Sequence, residues 1–173
     1  MFDTDKQILK ELNPIFAGLL RQLLTYAEER VLPFGIFSGL RTWEEQAKLY
    51  AKGRDEAGNI VDPKQVVTNA KPGSSWHNYG LAADIVLDID NRPGLQPSWK
   101  EFVDANQDGA NDWLTLGIKG QEFGLEWGGV CFKKQNGFID VPHWQYRKGI
   151  LSIKIAQDLY KQGGLELVWQ KVI

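Results

Sequence analysis

Apolar residues recur three and four apart between Ile15 and Ala27, with Ile15, Leu19, Leu23 and Tyr26 on one line and Phe16, Leu20, Leu24 and Ala27 on the next. That spacing predicts a helix with a wide core-facing side, starting at Pro14 after an Asn13 cap and running to Arg30. Ahead of it, Thr4 or Asp5 is placed to cap a shorter helix toward Leu12. Phe34 to Gly39 reads as a short strand. Thr42-Trp43-Glu44-Glu45 is a capping-box sequence that opens a helix through Lys52, stopped by Gly53. Gly80 then interrupts any helical reading, and Ile85, Leu87 and Ile89 alternate with Asp84, Val86 and Asp88, as in a strand with one apolar face.

Asn91-Arg92-Pro93-Gly94 breaks the chain, and Pro97-Ser98-Trp99 is expected to start a short helix or turn. Asp112 is placed to cap a helix from Trp113 to about Phe123, ended by Gly124. Trp127 to Phe132 and Gly137 to Tyr146 read as the arms of a hairpin. Ser152 caps a last amphipathic helix to Gln162, Gly163-Gly164 ends it, and Leu165 to Ile173 forms a terminal helix or tail. The sum is an α+β fold, with helices packed on one side of a small, mainly antiparallel sheet. Residues 1–173 read as a single domain without a separate binding unit.

The chemistry concentrates where this pattern is interrupted. The chain has 2 histidines, His77 and His143, and each lies within a few residues of a carboxylate, Asp84 in one case and Asp140 in the other. Catalytic zinc takes three protein ligands from His and Asp or Glu and leaves a fourth position to water, which His77, Asp84 and His143 would satisfy. The competing reading is a hydrogen-bonded structural cluster. A regular pleat sends Asp140 and His143 to opposite faces, so Pro142 is expected to bend or bulge the strand and let both reach a cleft.

The run Ser75-Trp76-His77-Asn78-Tyr79-Gly80-Leu81-Ala82-Ala83-Asp84, followed by Asp140-Val141-Pro142-His143-Trp144, resembles the zinc peptidases of the M15 family, which cut peptidoglycan stem peptides. The likeness extends from about Pro14 through His143 and takes in Ser38-Gly39-Leu40-Arg41-Thr42-Trp43-Glu44-Glu45-Gln46 and Phe123-Gly124-Leu125-Glu126-Trp127-Gly128-Gly129. It implies a surface zinc cleft on a fold like those of the D,D-peptidases and the hedgehog signalling domains. Asp140, where carboxypeptidase branches tend to carry Glu, is similar to the L-alanyl-D-glutamate endopeptidase branch of phage endolysins and wall hydrolases. The resemblance assigns Asp140 as general base and puts Arg41 near the zinc, where its fork of donors could hold an oxyanion or a substrate carboxylate. Ser75, Trp76 and Trp144 become tentative substrate contacts, with Trp127 another wall candidate and apolar packing the alternative for each tryptophan. Glu126 is either a partner that orients a ligating histidine or an ordinary charge.

Composition narrows the partners. Lys plus Arg is 20 and Asp plus Glu 22, a net charge of −2 with no basic run, which argues against nucleic acid and anionic membranes as partners. Cys131 is the single cysteine, so no internal disulfide forms and a small buried apolar role is expected. The start Met1-Phe2-Asp3-Thr4-Asp5 lacks a secretory pattern and no apolar run is long enough to span a bilayer. The expectation is therefore synthesis in the cytoplasm as a monomer, with delivery to the wall by another agent. Arg54 to Lys64 is a polar loop that could border the groove. Asp104 to Asp112 has the spacing of an EF-hand loop, but Thr115 replaces the bidentate Glu, so capping is favoured over calcium.

The expected function is hydrolysis of a stem-peptide amide by one zinc, most of all between L-Ala and D-Glu. The enzymatic alternative is a D-alanyl-D-alanine carboxypeptidase. The alternative of another class is a non-catalytic zinc-containing module that binds peptide or glycan.

Overall fold

The computed structural model describes residues 2–88, 102–130 and 139–173, together with the backbone of 97–98. Helices α1 (Asp3–Lys10), α2 (Pro14–Glu29), α3 (Trp43–Ala51), α4 (Asp112–Glu122) and α5 (Ile153–Trp169) surround a sheet. Its strands are β1 (Phe34–Ser38), β2 (Ala82–Asp88), β3 (Pro97–Ser98), β4 (Glu126–Trp127) and β5 (His143–Gln145). The expected α+β class with a small antiparallel sheet is what forms.

The local signals translate well where partners are near in sequence. Asn13 Oδ1 accepts the amides of Ile15 and Phe16 at 3.0 and 3.1 Å and starts α2 at Pro14. Phe16, Ala17, Leu20, Leu23, Leu24 and Ala27 are its buried stripe, narrower than the periodicity suggests, since Ile15 stays exposed. Thr42 Oγ1 accepts the Glu45 amide at 3.1 Å while Glu45 returns a carboxylate to the Thr42 amide at 2.8 Å, the reciprocal cap that opens α3.

Two caps differ from expectation because a distant amide claims the carboxylate. Asp5 lies inside α1 and is fully buried, accepting the Phe2 amide and, 31 residues on, the Ile36 amide, each at 2.7 Å. It thereby pins α1 to β1. Asn111, and not Asp112, caps α4 by accepting the Trp113 amide at 2.9 Å, because the buried Asp112 carboxylate takes the Ala105 amide at 2.7 Å.

β2 is the centre of the sheet. β1 pairs along one edge, with Ser38 opposite Asp84 beyond a bulge, while β5 and β3 share the other edge and β4 pairs with β5, all antiparallel. Pro97-Ser98 is therefore a strand, contrary to the helix or turn expected, because its backbone completes the far end of β2. β2 is also buried on both faces. Val86 and Ala82 are as inaccessible as Ile85 and Leu87, and Asp84 alone in the strand is partly open. α1 packs on β1, and the short 3-10 helix Trp76–Tyr79 packs on β2. Asp84, the one residue of β2 that is partly open, faces a cleft.

The opposite face holds the main core, where Trp144 and Trp127 stack at 5.9 Å against α4. Gly117 and Gly120 make that approach possible, since a Cβ on either would overlap a tryptophan ring. Gly120→Ala should therefore destabilise despite the better helix propensity of alanine, by about 1–3 kcal/mol for overpacking. Gly18→Ala in α2, which meets nothing within 4 Å, should stabilise by roughly 0.5–1 kcal/mol. Denaturant midpoints of the two variants check this pair of opposite signs.

α5 carries the break anticipated at Gly163-Gly164, with Gly164 in the left-handed region at φ 64°, and helix resumes beyond it. Trp169 on the second stretch donates from Nε1 to Tyr79 O at 2.7 Å and anchors the turn that bears His77. No helix among the described residues is long and apolar enough to cross a membrane. Cys131, Ile89, the Asn91–Gly94 break, Trp99 and the hairpin arms between residues 131 and 138 lie outside the described residues.

Candidate metal centre

His77 sits in the 3-10 helix, whose start is capped by Ser75 and whose end is turned by Gly80 at φ 63°. Asn78, also buried, braces this turn by accepting the Gly73 amide at 3.0 Å and donating from Nδ2 to Arg41 O at 2.9 Å. The Arg41 amide in turn donates to His77 O at 3.0 Å, so the two motif segments are tied through backbone. Across the sheet, Ser38, Asp84 and His143 form a single row on β1, β2 and β5. The pleat that turns His143 to the cleft turns Trp144 away from it and brings Gln145 back.

Asp84 Oδ1 lies 3.4 Å from His77 Nε2 and 3.4 Å from His143 Nδ1, and the three candidate ligand atoms lie within 4.8 Å of one another. Contacts of 3.4 Å are long for direct hydrogen bonds. They match the spacing of about 3.4 Å between ligand atoms each held 2.0–2.1 Å from a tetrahedral zinc. His77 Nδ1 donates to Gly39 O at 2.8 Å, which leaves Nε2 as the lone-pair nitrogen facing the carboxylate. Two imidazoles and a carboxylate, with their other atoms already engaged, fit a divalent zinc.

The electrostatics agree. Burial by itself would raise the Asp84 carboxyl, but His77 and His143 outweigh it and hold it well below the usual range. Burial would lower His143, yet the facing Asp84 raises it. Asp84 and His143 thus sustain each other's charge where a cation would sit.

Arg41 donates from Nη1 to Gln46 Oε1 at 2.9 Å and from Nη2 to Ser38 Oγ at 3.0 Å, with Asp84 Oδ2 3.4 Å from Nη2. Gln46 is itself fully buried and donates to Ala70 O at 2.7 Å. The guanidinium is thus held in a fixed plane beside the third ligand.

Asp140 reaches the same cleft by a turn and not by the bulged strand expected. The His143 amide donates to Asp140 O at 3.1 Å, a four-residue turn with Pro142 inside it, and regular strand begins only at His143. Gly128 and Trp127 seat this turn: Gly128 N donates to His143 O at 2.8 Å, and Trp127 Nε1 donates to Val141 O at 2.7 Å. A Cβ on Gly128 would overlap Asp140 O. Burial pushes the Asp140 carboxyl up, Asp84 adds to the rise, and His143 and His77 oppose it.

The cleft has a volume of about 1030 Å³ and is lined by His77, Asp84, His143, Asp140, Arg41 and Gln145. Ser75 and Trp76 also lie on its wall, as expected of substrate contacts. Trp144 does not: it is fully buried on the other face of the sheet, and Trp127 is buried beside it. The rim is formed by Val67, Thr68, Asn69 and Ala70, not by the expected loop 54–64. Gln145, Asn78, Gln46 and Gly128 support the site without having been assigned roles from the sequence: Asn78, Gln46 and Gly128 lie inside the motif stretches, and Gln145 is two residues beyond His143 on a strand.

Among the described residues His77, Asp84 and His143 are the one group of three that could hold a metal. In the Asp104–Asp112 loop, Asp104 accepts the Asp108 and Gly109 amides, each at 3.0 Å, and Asp108 accepts Ala110 at 2.9 Å. These carboxylates are turned onto the loop's own backbone.

Comparison with known proteins places this geometry. The chain is 34% identical over 139 residues to the peptidoglycan L-alanyl-D-glutamate endopeptidase CwlK of Bacillus subtilis, covering 80% of this chain and 75% of that protein. Among solved structures, the fold is shared with the L-Ala D-Glu endopeptidase ChiX of Serratia marcescens (TM-score 0.52, 21% identity, 84% and 87% of the two chains). It is shared equally with a D,D-pentapeptidase VanY from a VanB-type resistance cassette, solved as a variant in complex with Zn(II) (TM-score 0.52, 22% identity, 88% and 80%). The family model for VanY, D-alanyl-D-alanine carboxypeptidase, matches residues 9–149, a span that holds every residue of the centre, and the chain belongs to that family.

Proposed function

We propose that the chain is a zinc-dependent peptidoglycan endopeptidase that hydrolyses the L-Ala–D-Glu amide of the stem peptide. The observation that carries the reading is the juxtaposition, in one open cleft, of a three-ligand group with a half-buried carboxylate, Asp140, and a braced guanidinium, Arg41. A module that only binds has no use for the last two. The endopeptidase name of the relative at 34% identity supports the choice of bond.

His77, Asp84 and His143 would hold the zinc. When bound, it supplies an activated water at neutral pH and polarises the scissile carbonyl. Asp140 takes the proton from the attacking water and hands it to the leaving amine, and its raised affinity for protons suits the second step. Arg41 has five donors, and those not engaged by Gln46, Ser38 and Asp84 turn to the developing oxyanion or to a substrate carboxylate. Ser75 and Trp76 contact the peptide along the wall. A cleft at the top of the size range for small-ligand sites accommodates peptide on both sides of the scissile bond. Lys48 and Lys52 on its α3 side offer positive charge to an acidic stem peptide.

The second reading, removal of terminal D-Ala, is favoured by the description of the matching family. Digesting purified peptidoglycan with zinc-loaded protein and identifying the new termini by mass spectrometry decides between them. New N-terminal D-Glu is the expected product. Released D-Ala moves the chain to the carboxypeptidases, and no product from folded, zinc-containing protein favours a binding module.

A further inference from the structure

The two histidines are oriented by different means. His77 Nδ1 faces a backbone carbonyl, Gly39 O, which can only accept, so its tautomer is settled by the main chain. His143 Nε2 faces the side-chain amide of Gln145, 3.1 Å from Oε1. An amide has a donor end and an acceptor end, and either can be presented to an imidazole. Something must choose.

Glu126 stands directly opposite Gln145 in the β4–β5 pair. Its Oε2 accepts from Gln145 Nε2 at 2.9 Å, and Arg147 Nε lies 3.0 Å from both carboxylate oxygens. A carboxylate beside a guanidinium accepts only, so it binds the NH₂ end of Gln145 and leaves the carbonyl end for His143. The neutral imidazole must then carry its proton on Nε2 and keep a lone pair on Nδ1. Nδ1 is the atom that faces Asp84 Oδ1. Arg147 continues the chain of contacts, its guanidinium lying 5.7 Å over the Trp76 ring next to His77.

From this geometry we infer that Glu126 is a positioning residue for the metal centre: acting through Gln145, it locks His143 in the tautomer that presents Nδ1 to the cation. The inference rests on the zinc reading above and adds to it a residue that touches neither metal nor substrate. With Gln at position 126 the constraint disappears, because a neutral amide can bond either end of Gln145. His143 is then free to protonate Nδ1, and a ligand is lost from the competent population.

The test compares Glu126→Gln with the double variant Glu126→Gln/Gln145→Glu, which restores an acceptor facing His143 and leaves the carbonyl of residue 126 for Arg147. Zinc affinity is read by chelator competition, and the His143 tautomer by nitrogen-15 NMR of the metal-free protein at a pH where the imidazole is neutral. Glu126→Gln should lose about 10- to 100-fold in zinc affinity, with Nδ1-protonated His143 appearing, and the double variant should recover both. Unchanged affinity with an unchanged tautomer in Glu126→Gln overturns the inference, as does a folded double variant that recovers neither. If the parent chain binds no zinc, the metal reading fails, while the tautomer measurement still decides the role of Glu126.

Discussion

Asp140→Asn is expected to bind zinc as the parent does and to lose turnover by about 10²–10⁴-fold, the usual contribution of a positioned general base. The Asp140 side chain is outside the three-ligand group, and its backbone, held by Gly128 and His143, does not depend on the carboxylate. Asparagine therefore keeps the turn and loses the proton acceptor. The same burial gives a pH signature. Because the Asp140 carboxyl is raised above its ordinary 3.8, the base form is lost as pH falls through that raised value, and kcat/KM falls with it. Zinc content measured over the same range separates this limb from protonation of His77 and His143. A variant that retains both zinc and full activity removes Asp140 from the mechanism.

Arg41→Lys is expected to fall nearly as far as Arg41→Ala, about 10²–10³-fold in kcat, the scale for loss of one oxyanion donor. The reason is planar geometry more than charge. The guanidinium serves Gln46 Oε1, Ser38 Oγ and Asp84 Oδ2 at once, and its orientation follows from those three. An ammonium on a flexible stem cannot reproduce that fork, and it leaves Gln46, fully buried, without its donor. Activity in Arg41→Lys close to that of the parent would show that positive charge alone suffices. Steady-state kinetics of the two variants on the same stem peptide make the comparison.

Much of the centre is legible in the sequence because the determinants are local. The α2 helix, the Asn13 cap and the Thr42–Glu45 box depend on neighbours within four residues; the helix and both caps form as read, although the buried stripe of α2 is narrower. The three candidate ligands are legible for a different reason: the chain has 2 histidines, each beside a carboxylate, and rarity does the work that conservation would do elsewhere. What fails is long-range. Asp112 reads as well as Asn111 for a cap until the Ala105 amide claims its carboxylate, and Asp5 is withdrawn in the same way by Ile36. Pro97-Ser98 looks like a helix start because nothing in those residues announces the edge of β2 that they complete.

Trp144 is the instructive error, since the information was present. Adjacent residues on a strand face opposite ways, so a His143 ligand commits Trp144 to the core and returns Gln145 to the cleft. Asp140 reaches the cleft as expected, and it does so because the strand begins only at His143, with a turn containing Pro142 before it. Gln46 and Asn78 stand inside the motif stretches, but their bracing roles are not legible there because the partners lie 24 and 37 residues away.

The most direct test of the central claim is to strip the protein with a chelator and titrate zinc back while following both bound metal and peptide hydrolysis. The predicted result is activity that rises in proportion to zinc and saturates at one equivalent per chain. His77→Ala, Asp84→Asn and His143→Ala should each fail to recover at the same concentrations. Activity that survives complete removal of zinc, or that returns with any one of those three residues replaced, would contradict the account.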